Sequence, residues 1–525
     1  MTLPYLTDDC IHYILQFLQN DFSTLRKCLL VNRFWCKSTI PLLYANPFAK
    51  TKSPHKNYKL IITLVSCFDK AEILQFKERL SKFVIIYIDD IKEDYKPLFE
   101  YPKYLKDYNY FKINYSINSF VRYCSDSLIS NSKIYEAVIP IFHRSLLRQS
   151  RNIKHLDIFL HLFNNESFEN FNVQNFITNL TKLKSLSFCL DINNKKFEQE
   201  FLINIPNNLK QLIINLPRNS TRTYQRSTPN NLVNTTTWER LCKTIQEQNK
   251  LEIFKINSFY TLSNNVLLSL EFQKHSLVHI EFINASFINV DLKDLNNLYN
   301  LEYLKFEFCT GILSNKFEIL KFASFKLKEL SIIRNKWNAD ATPSMIEFFG
   351  ESLQRLFVEP PTIHLIENIS MYCPNLIYLK LRIYSRNNLS ILASFRNLKT
   401  KMLSITTCHD IDKFFINLAN NIPINVSKIS IHTRPLNKFL KFKEFLENCH
   451  NSFEMINLNH IIKLKYLKIV LNYIERSNNS LKILGMKKLE KELNDEELNL
   501  LNQIKAKGVK IVEFNSIHKG EYDIL

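Results

Sequence analysis

The sequence predicts an α/β fold: a small three-helix module at the N-terminus, a helical spacer, and a curved solenoid whose short parallel strands line its concave face. Three observations lead there. An apolar-x-x-apolar-x-apolar template recurs fourteen times after residue 150, stretches with helical apolar spacing separate the matches, and the first fifty residues carry helix-opening signals of a different kind. A chain of 525 residues exceeds what one globular core holds, so repetition is the first property to test.

The middle residues of the matches are Leu156, Leu186, Leu212, Phe254, Ile280, Leu304, Leu330, Leu356, Leu379, Leu403, Ile429, Ile456, Leu484 and Val512, the one at Leu403 being degenerate. Apart from one step of 42, the intervals run from 23 to 30 residues, about a constant period. The last two apolar positions of each match lie two apart, so on an extended strand both point inward; the first enters from the preceding loop. Between strands, Asn437 to Cys449 places Phe439, Leu440, Phe442, Phe445 and Leu446 at 3- and 4-residue spacing, a helix signal. One such unit cannot bury its apolar face alone; stacking the units makes one continuous core.

The 42-residue step contains residues 217–237, polar and without period, which read as an exposed insertion. Leu464, Leu467 and Ile469 also fit the template, but the spacing assigns Ile461 to Ile474 to a connecting helix. Ahead of the array, which spans 149–525, residues 58–148 read as a helical spacer and N-terminal cap, joined to residues 1–48 by a short linker, Thr51 to Asn57.

Within residues 1–48, Thr7 followed by Asp8 and Asp9 opens a helix with a hydroxyl cap and two carboxylates at the positive end of its dipole. Ile11, Ile14, Leu15 and Leu18 form its apolar stripe. Asp21 opens a second run holding Leu25, Cys28, Leu29, Val31 and Trp35, and Pro41 starts a third segment ending at Tyr44. Three small helices bury too little by themselves, so part of this apolar surface is expected to meet a partner.

Leu3 to Tyr44 resembles an F-box, on the Leu3-Pro4 opening, the Ile14, Leu15 and Leu18 helix, Leu25, and the Val31 to Trp35 segment. The repeats resemble the leucine-rich repeats found behind F-boxes, with Cys309, Asn335 and Cys408 placed three residues past an inward strand residue, where that family uses Cys or Asn to bond the turning backbone. The resemblance implies a substrate-recognition adaptor: the F-box docks on the Skp adaptor and through it a cullin, and the repeats hold a protein substrate. It implies Leu3, Pro4, Ile14, Leu15, Leu18 and Trp35 as the docking surface. Partner contact is favoured for Pro4, Ile14, Leu15 and Trp35, and internal packing for Leu25 and Val31. The alternatives are a leucine-rich-repeat scaffold or sensor outside any ligase, and a basic solenoid that grips nucleic acid.

Composition narrows the field. Five scattered glycines exclude phosphate loops and dinucleotide turns. Eleven cysteines without a CxxC pair argue against a disulfide framework and a zinc ribbon. The sequence shows no secretory signal and no 18-residue apolar run, so a cytosolic or nuclear compartment is expected, with no membrane partner. The net charge of +19 raises nucleic acid as a partner, but no basic cluster alternates with aromatics as a single-strand platform requires. Cys408-His409-Asp410 and Cys449-His450 assemble suggestive types, yet neighbours on a strand point apart and nothing resembles a nucleophile elbow. The expectation is a non-catalytic protein without metal or cofactor.

Strand residues flanking the inward ones point to the concave face, where the core does not dictate identity. On that face Tyr303, Arg355, Phe357, Tyr378, Lys380 and Arg382 lie in nearby repeats, and Tyr and Arg are enriched at binding hot spots. They are the expected substrate surface.

Overall fold

A computed structural model describes residues 7–49, 54–83, 91–124, 136–169, 171–190, 195–216, 235–312, 314–383, 386–407, 411–433, 439–461, 463–487 and 493–519. The chain forms two compact units, Met1–Tyr260 with Leu268–Ser276, and Thr261–Leu267 with Leu277–Leu525. Leu3, Pro4, Cys408 and most of the 217–237 insertion lie outside the described residues.

The first unit carries strands β1 (Asp107–Asn109), β2 (His155–Phe159), β3 (Ser185–Cys189), β4 (Gln211–Leu216) and β5 (Ile253–Ser258), paired in parallel in chain order. The second carries β6 (His279–Ile283), β7 (Tyr303–Glu307), β8 (Glu329–Ile333), β9 (Arg355–Glu359) and β10 (Tyr378–Ile383). It continues with β11 (Met402–Thr407), β12 (Lys428–Thr433), β13 (Met455–Ile461), β14 (Ile483–Lys487) and β15 (Lys510–Glu513), again parallel and in order. Consecutive parallel strands require a crossover, and helices supply it. Among them are Ala341–Phe349, Ile363–Tyr372, Ile411–Asn421 and Phe439–Asn448, each packed on neighbours of its own layer.

The repeat explains the register. Leu156 lies opposite Leu186, Leu186 opposite Leu212, and Leu212 opposite Phe254; in the second unit Ile280, Leu304, Leu330 and Leu356 form the same file, continued by Leu379, Leu403, Ile429, Ile456 and Leu484. All are at most 1 % exposed. Each such side chain contributes roughly 1.5–3 kcal/mol of burial. The match at Leu403 is degenerate because Thr400 takes the first apolar position; it is fully buried, and its hydroxyl donates to the Ile377 carbonyl at 3.0 Å.

The structure corrects the last match. Leu484 pairs with Ile511, so Val512 is one residue out of phase and lies opposite Gly485 on the other face. A one-residue slip exchanges the faces of a strand. The chain then leaves β15 directly into the helix Phe514–Lys519, which folds back onto β13 and β14.

The described residues of 58–148 are mostly helical, as expected, but include β1, which pairs with β2. Its signal was present: Leu105, Tyr108 and Tyr110 fit the template if tyrosine is admitted, and all three are buried. Pro54 to Asn57, expected as linker, forms the start of the helix Pro54–Val65, with proline where the first turn leaves its missing N–H harmless. Ile461 closes β13 and the helix predicted there runs Leu464–Arg476.

Turns after the strands use left-handed backbone at Asn284 (φ 55°), Phe308 (φ 54°) and Arg334 (φ 50°). Neighbouring side chains hold these turns. The Asn335 amide donates to the Phe306 carbonyl at 3.0 Å and its oxygen accepts the Cys309 N–H at 2.7 Å; the Cys309 thiol donates to the Phe282 carbonyl at 3.3 Å. This is the role expected for Cys309 and Asn335.

Candidate functional site

The N-terminal module in the first unit comprises α1 (Asp8–Phe17), α2 (Phe22–Cys28) and α3 (Arg33–Leu43). The Thr7 hydroxyl caps α1, and Asp21 caps α2 by accepting the N–H groups of Ser23 and Thr24 at 3.1 Å. The second helical run ends earlier than the apolar spacing indicated. Asn32 accepts the Trp35 N–H at 2.9 Å and starts α3, which contains Pro41 instead of beginning at it.

These helices close a small core of Ile11, Leu15, Leu25, Cys28 and Leu43, with Leu18, Phe34 and Trp35 packed half-buried against it. Leu25 is internal, as expected. Leu15 is fully buried, so it packs inside the module and cannot itself meet a partner. Val31, expected inside, is 58 % exposed because it lies in the turn between α2 and α3. Ile14 is 38 % exposed, and sequence reasoning missed Tyr13, Phe17 and Leu30, exposed at 64, 75 and 87 %. The signal for Tyr13 and Phe17 was the i, i+3, i+4 relation of Phe17 to Ile14 and Tyr13 on a stripe already wider than the core needs.

The module is fixed to its own unit. The Ala45 carbonyl accepts the N–H groups of Lys106 and Asp107 at 2.9 and 3.0 Å, where β1 begins. The Tyr44 ring lies 4.2 Å from the Tyr101 ring, and burial, then Tyr101, pushes the Tyr44 hydroxyl above its ordinary pKa.

In the second unit the candidate substrate residues do share the open face, but not as free anchors. Tyr303, Phe357 and Tyr378 are only 7, 6 and 4 % exposed. Tyr303 stacks on His279 at 3.8 Å; Phe357 and Tyr378 pack edge to face at 5.4 Å and join Met402 and Met455 in an apolar cluster that Ile483 and Ile517 adjoin. Arg355 lies over Tyr378 and Lys380 over Phe357, each 5.4 Å from the ring centre. The wall is packed by its own side chains, because parallel strands bring like positions of successive repeats side by side.

Charge on this face is organised. His279 Nε2 lies 2.7 Å from Glu281; Lys305 reaches Glu281 at 3.4 Å and Glu307 at 2.7 Å; Arg355 meets Glu329 at 3.1 Å. Burial opposes the Lys305 ammonium, but Glu281 and Glu307 together outweigh it and hold its pKa above the lysine norm. Buried Glu359 binds both Arg334 and Arg382, the latter at 2.9 Å.

Among the described residues, no three His, Cys, Asp or Glu side chains gather to hold a metal ion, and no helix is long and apolar enough to cross a membrane. Burial pushes the Cys309 and Cys373 thiols up to about 12 and the Cys449 thiol up to about 11. Thiols in such surroundings are poor nucleophiles.

No family model matches the chain, and no curated protein does. Solved structures with a similar course include a TLR13–ssRNA13 complex (16 % identity, 65 % of this chain and 44 % of that one, TM-score 0.33). Others are the yeast Rad7 and Elc1 complex (14 %, 75 and 100 %, 0.32) and the leucine-rich-repeat protein LegL7 from Legionella pneumophila (13 %, 66 and 89 %, 0.27). The chain thus spans less than half the length of the TLR13 chain it matches.

Proposed function

We propose that this protein is a non-catalytic substrate-recognition adaptor of a Skp/cullin/F-box ubiquitin ligase, acting in the cytosol or nucleus. The observation that carries the reading is the α1–α3 module. It closes its core without Tyr13, Ile14, Phe17, Leu30 or Val31, and exposes all five. Apolar side chains left outside a completed core mark a surface that a partner covers. In this reading Ile14 and its exposed neighbours contact the Skp adaptor, Leu15, Leu18 and Trp35 brace them, and Leu3 and Pro4 extend the surface. The open face of the repeats, including Arg355, Lys380 and Arg382, holds the protein substrate.

The test is capture of purified Skp adaptor by the full-length chain. Ile14→Asp with Phe17→Asp should weaken it by about 2 kcal/mol or more, roughly 30-fold, since central apolar contacts dominate such interfaces. The same pair of changes should leave the circular dichroism and melting of the array unaltered. Undiminished capture by the double variant would remove the F-box assignment.

A further inference from the structure

The inward file of apolar residues supplies the core of the array, so outward strand positions have no need to be apolar. In the second unit several are: Phe357 of β9, Tyr378 of β10, Met402 of β11 and Met455 of β13 form a buried cluster that Ile483 of β14 adjoins. The chain's own helix Phe514–Lys519 covers part of this surface. It turns back from β15 onto β13 and β14, lays Ile517 against the cluster and sets the Phe514 ring 5.5 Å from His432 of β12. Phe514 and Ile517 stand three positions apart on one side of the helix, the first 4 % exposed and the second partly buried, while Asn515 and Ser516 between them are exposed. We infer that this helix is a displaceable occupant of the open face. The β12 to β14 surface beneath it receives a short helix of a protein partner that carries an aromatic and a branched aliphatic side chain three positions apart, as Phe514 and Ile517 are. The inference rests on the reading of the open face as the substrate surface and names the element of the substrate that is recognised.

Several features agree. A helix of six residues does not persist without the surface it lies on. It is reached through β15, whose residues Lys510 to Glu513 are all exposed or partly so, and a segment with so little buried area opens before the array does. Its hydrogen bond from the Asn457 amide to the Phe514 carbonyl is long, at 3.4 Å. The surface outlasts its departure, because β12, β13 and β14 are each paired on both sides by neighbouring strands. That double pairing also leaves no strand edge to which an extended peptide could add, so a partner docks through side chains, as a helix in a groove. The slot is already shaped for one: Gly485 lets Ile517 approach to where a Cβ would stand 2.7 Å from its Cδ1, and the thioethers of Met402 and Met455 adapt to a different aliphatic side chain. The resident helix competes with every such partner, and lowers its affinity by the fraction of molecules in which the face is open.

The test uses the full-length protein, wild type and Phe514→Ala with Ile517→Ala, and a labelled, helix-stabilised peptide with the sequence of residues 513–519, followed by fluorescence anisotropy. The double variant should bind the peptide about tenfold or more tightly than the wild type, because its own helix no longer competes. A peptide with alanine at both anchor positions should bind the variant about tenfold or more weakly than the native peptide, and Met455→Glu added to the variant should cause a similar loss. Equal binding by wild type and variant, or equal binding of the two peptides, would overturn the proposal. Hydrogen exchange on the unaltered protein gives a second reading: the amides of Phe514–Lys519 should exchange about a hundredfold or more faster than those of β12 to β14. Exchange as slow as in those strands would show a helix that opens only when the array unfolds, and a dimer forming with protein concentration would assign it to a second copy; either would reject displacement by a partner. Skp-adaptor capture by the double variant should stay at wild-type level, so failure here and failure of the adaptor reading are separate results.

Discussion

His143 is fully buried in the first unit beside two polar partners, Tyr108 Oη at 2.5 Å from Nδ1 and Asn114 Oδ1 at 2.6 Å from Nε2. The arrangement suits a neutral ring: Nε2–H donates to the asparagine and Nδ1 accepts from the tyrosine. Burial, with a smaller contribution from His161, lowers its pKa to about 3. The unfolded chain, with an ordinary imidazole, takes up a proton from about pH 6.5 downward while the folded chain does not. Stability contributed by His143 is therefore complete above about pH 6.5 and declines as pH falls toward about 3, by about 2 kcal/mol at pH 5. Hydrogen exchange of the helix Ile139–Gln149 should show that loss between pH 7 and pH 5, and His143→Gln should abolish the pH dependence. An unchanged slope in the variant would reject the assignment. Sequence alone did not single out His143, because burial distinguishes it from the other histidines among the described residues and burial is a tertiary property.

At the scale of an element, the helix Phe514–Lys519 shows how one small residue admits a neighbour. A Cβ built on Gly485 would stand 1.9 Å from Asn457 Oδ1 and 2.7 Å from Ile517 Cδ1. The helix also brings the Phe514 carbonyl within 3.4 Å of the Asn457 amide, which donates to it, and sets the Phe514 ring 5.5 Å from His432. Gly485→Ala should cost about 1–3 kcal/mol through overpacking. It should also loosen this helix first, seen as faster proteolytic cleavage after Glu513 with β10 to β12 still protected; cleavage no faster than wild type would contradict the packing. The template placed Val512 inward and anticipated no returning helix, since Val509, Val512 and Phe514 fit it as well as the register that forms. Pairing of β14 with β15 chose between them.

Over the whole molecule, stability is shared among neighbours along each row of strands. In such an array a lost contact is felt in its own repeat and the next. Leu304 is fully buried, so Leu304→Ala should cost about 2–5 kcal/mol. Hydrogen exchange should locate the loss in β6 to β8, with β2 to β4 keeping their protection; uniform loss in both units would show a single cooperative core instead.

The sequence by itself determined the strands β2 to β14, their parallel order and the inward file of apolar residues, because a period-2 strand pattern repeated at near-constant spacing admits one stacking. It also determined that the first helices carry more apolar surface than they can bury. Only the tertiary structure decided which of those side chains remain outside, Ile14, Phe17 and Val31 against Leu15. It alone showed that the aromatics of the open face are packed against one another. Periodicity reports the face a residue points to; what lies opposite that face depends on residues distant in the chain, and no local pattern encodes their arrival.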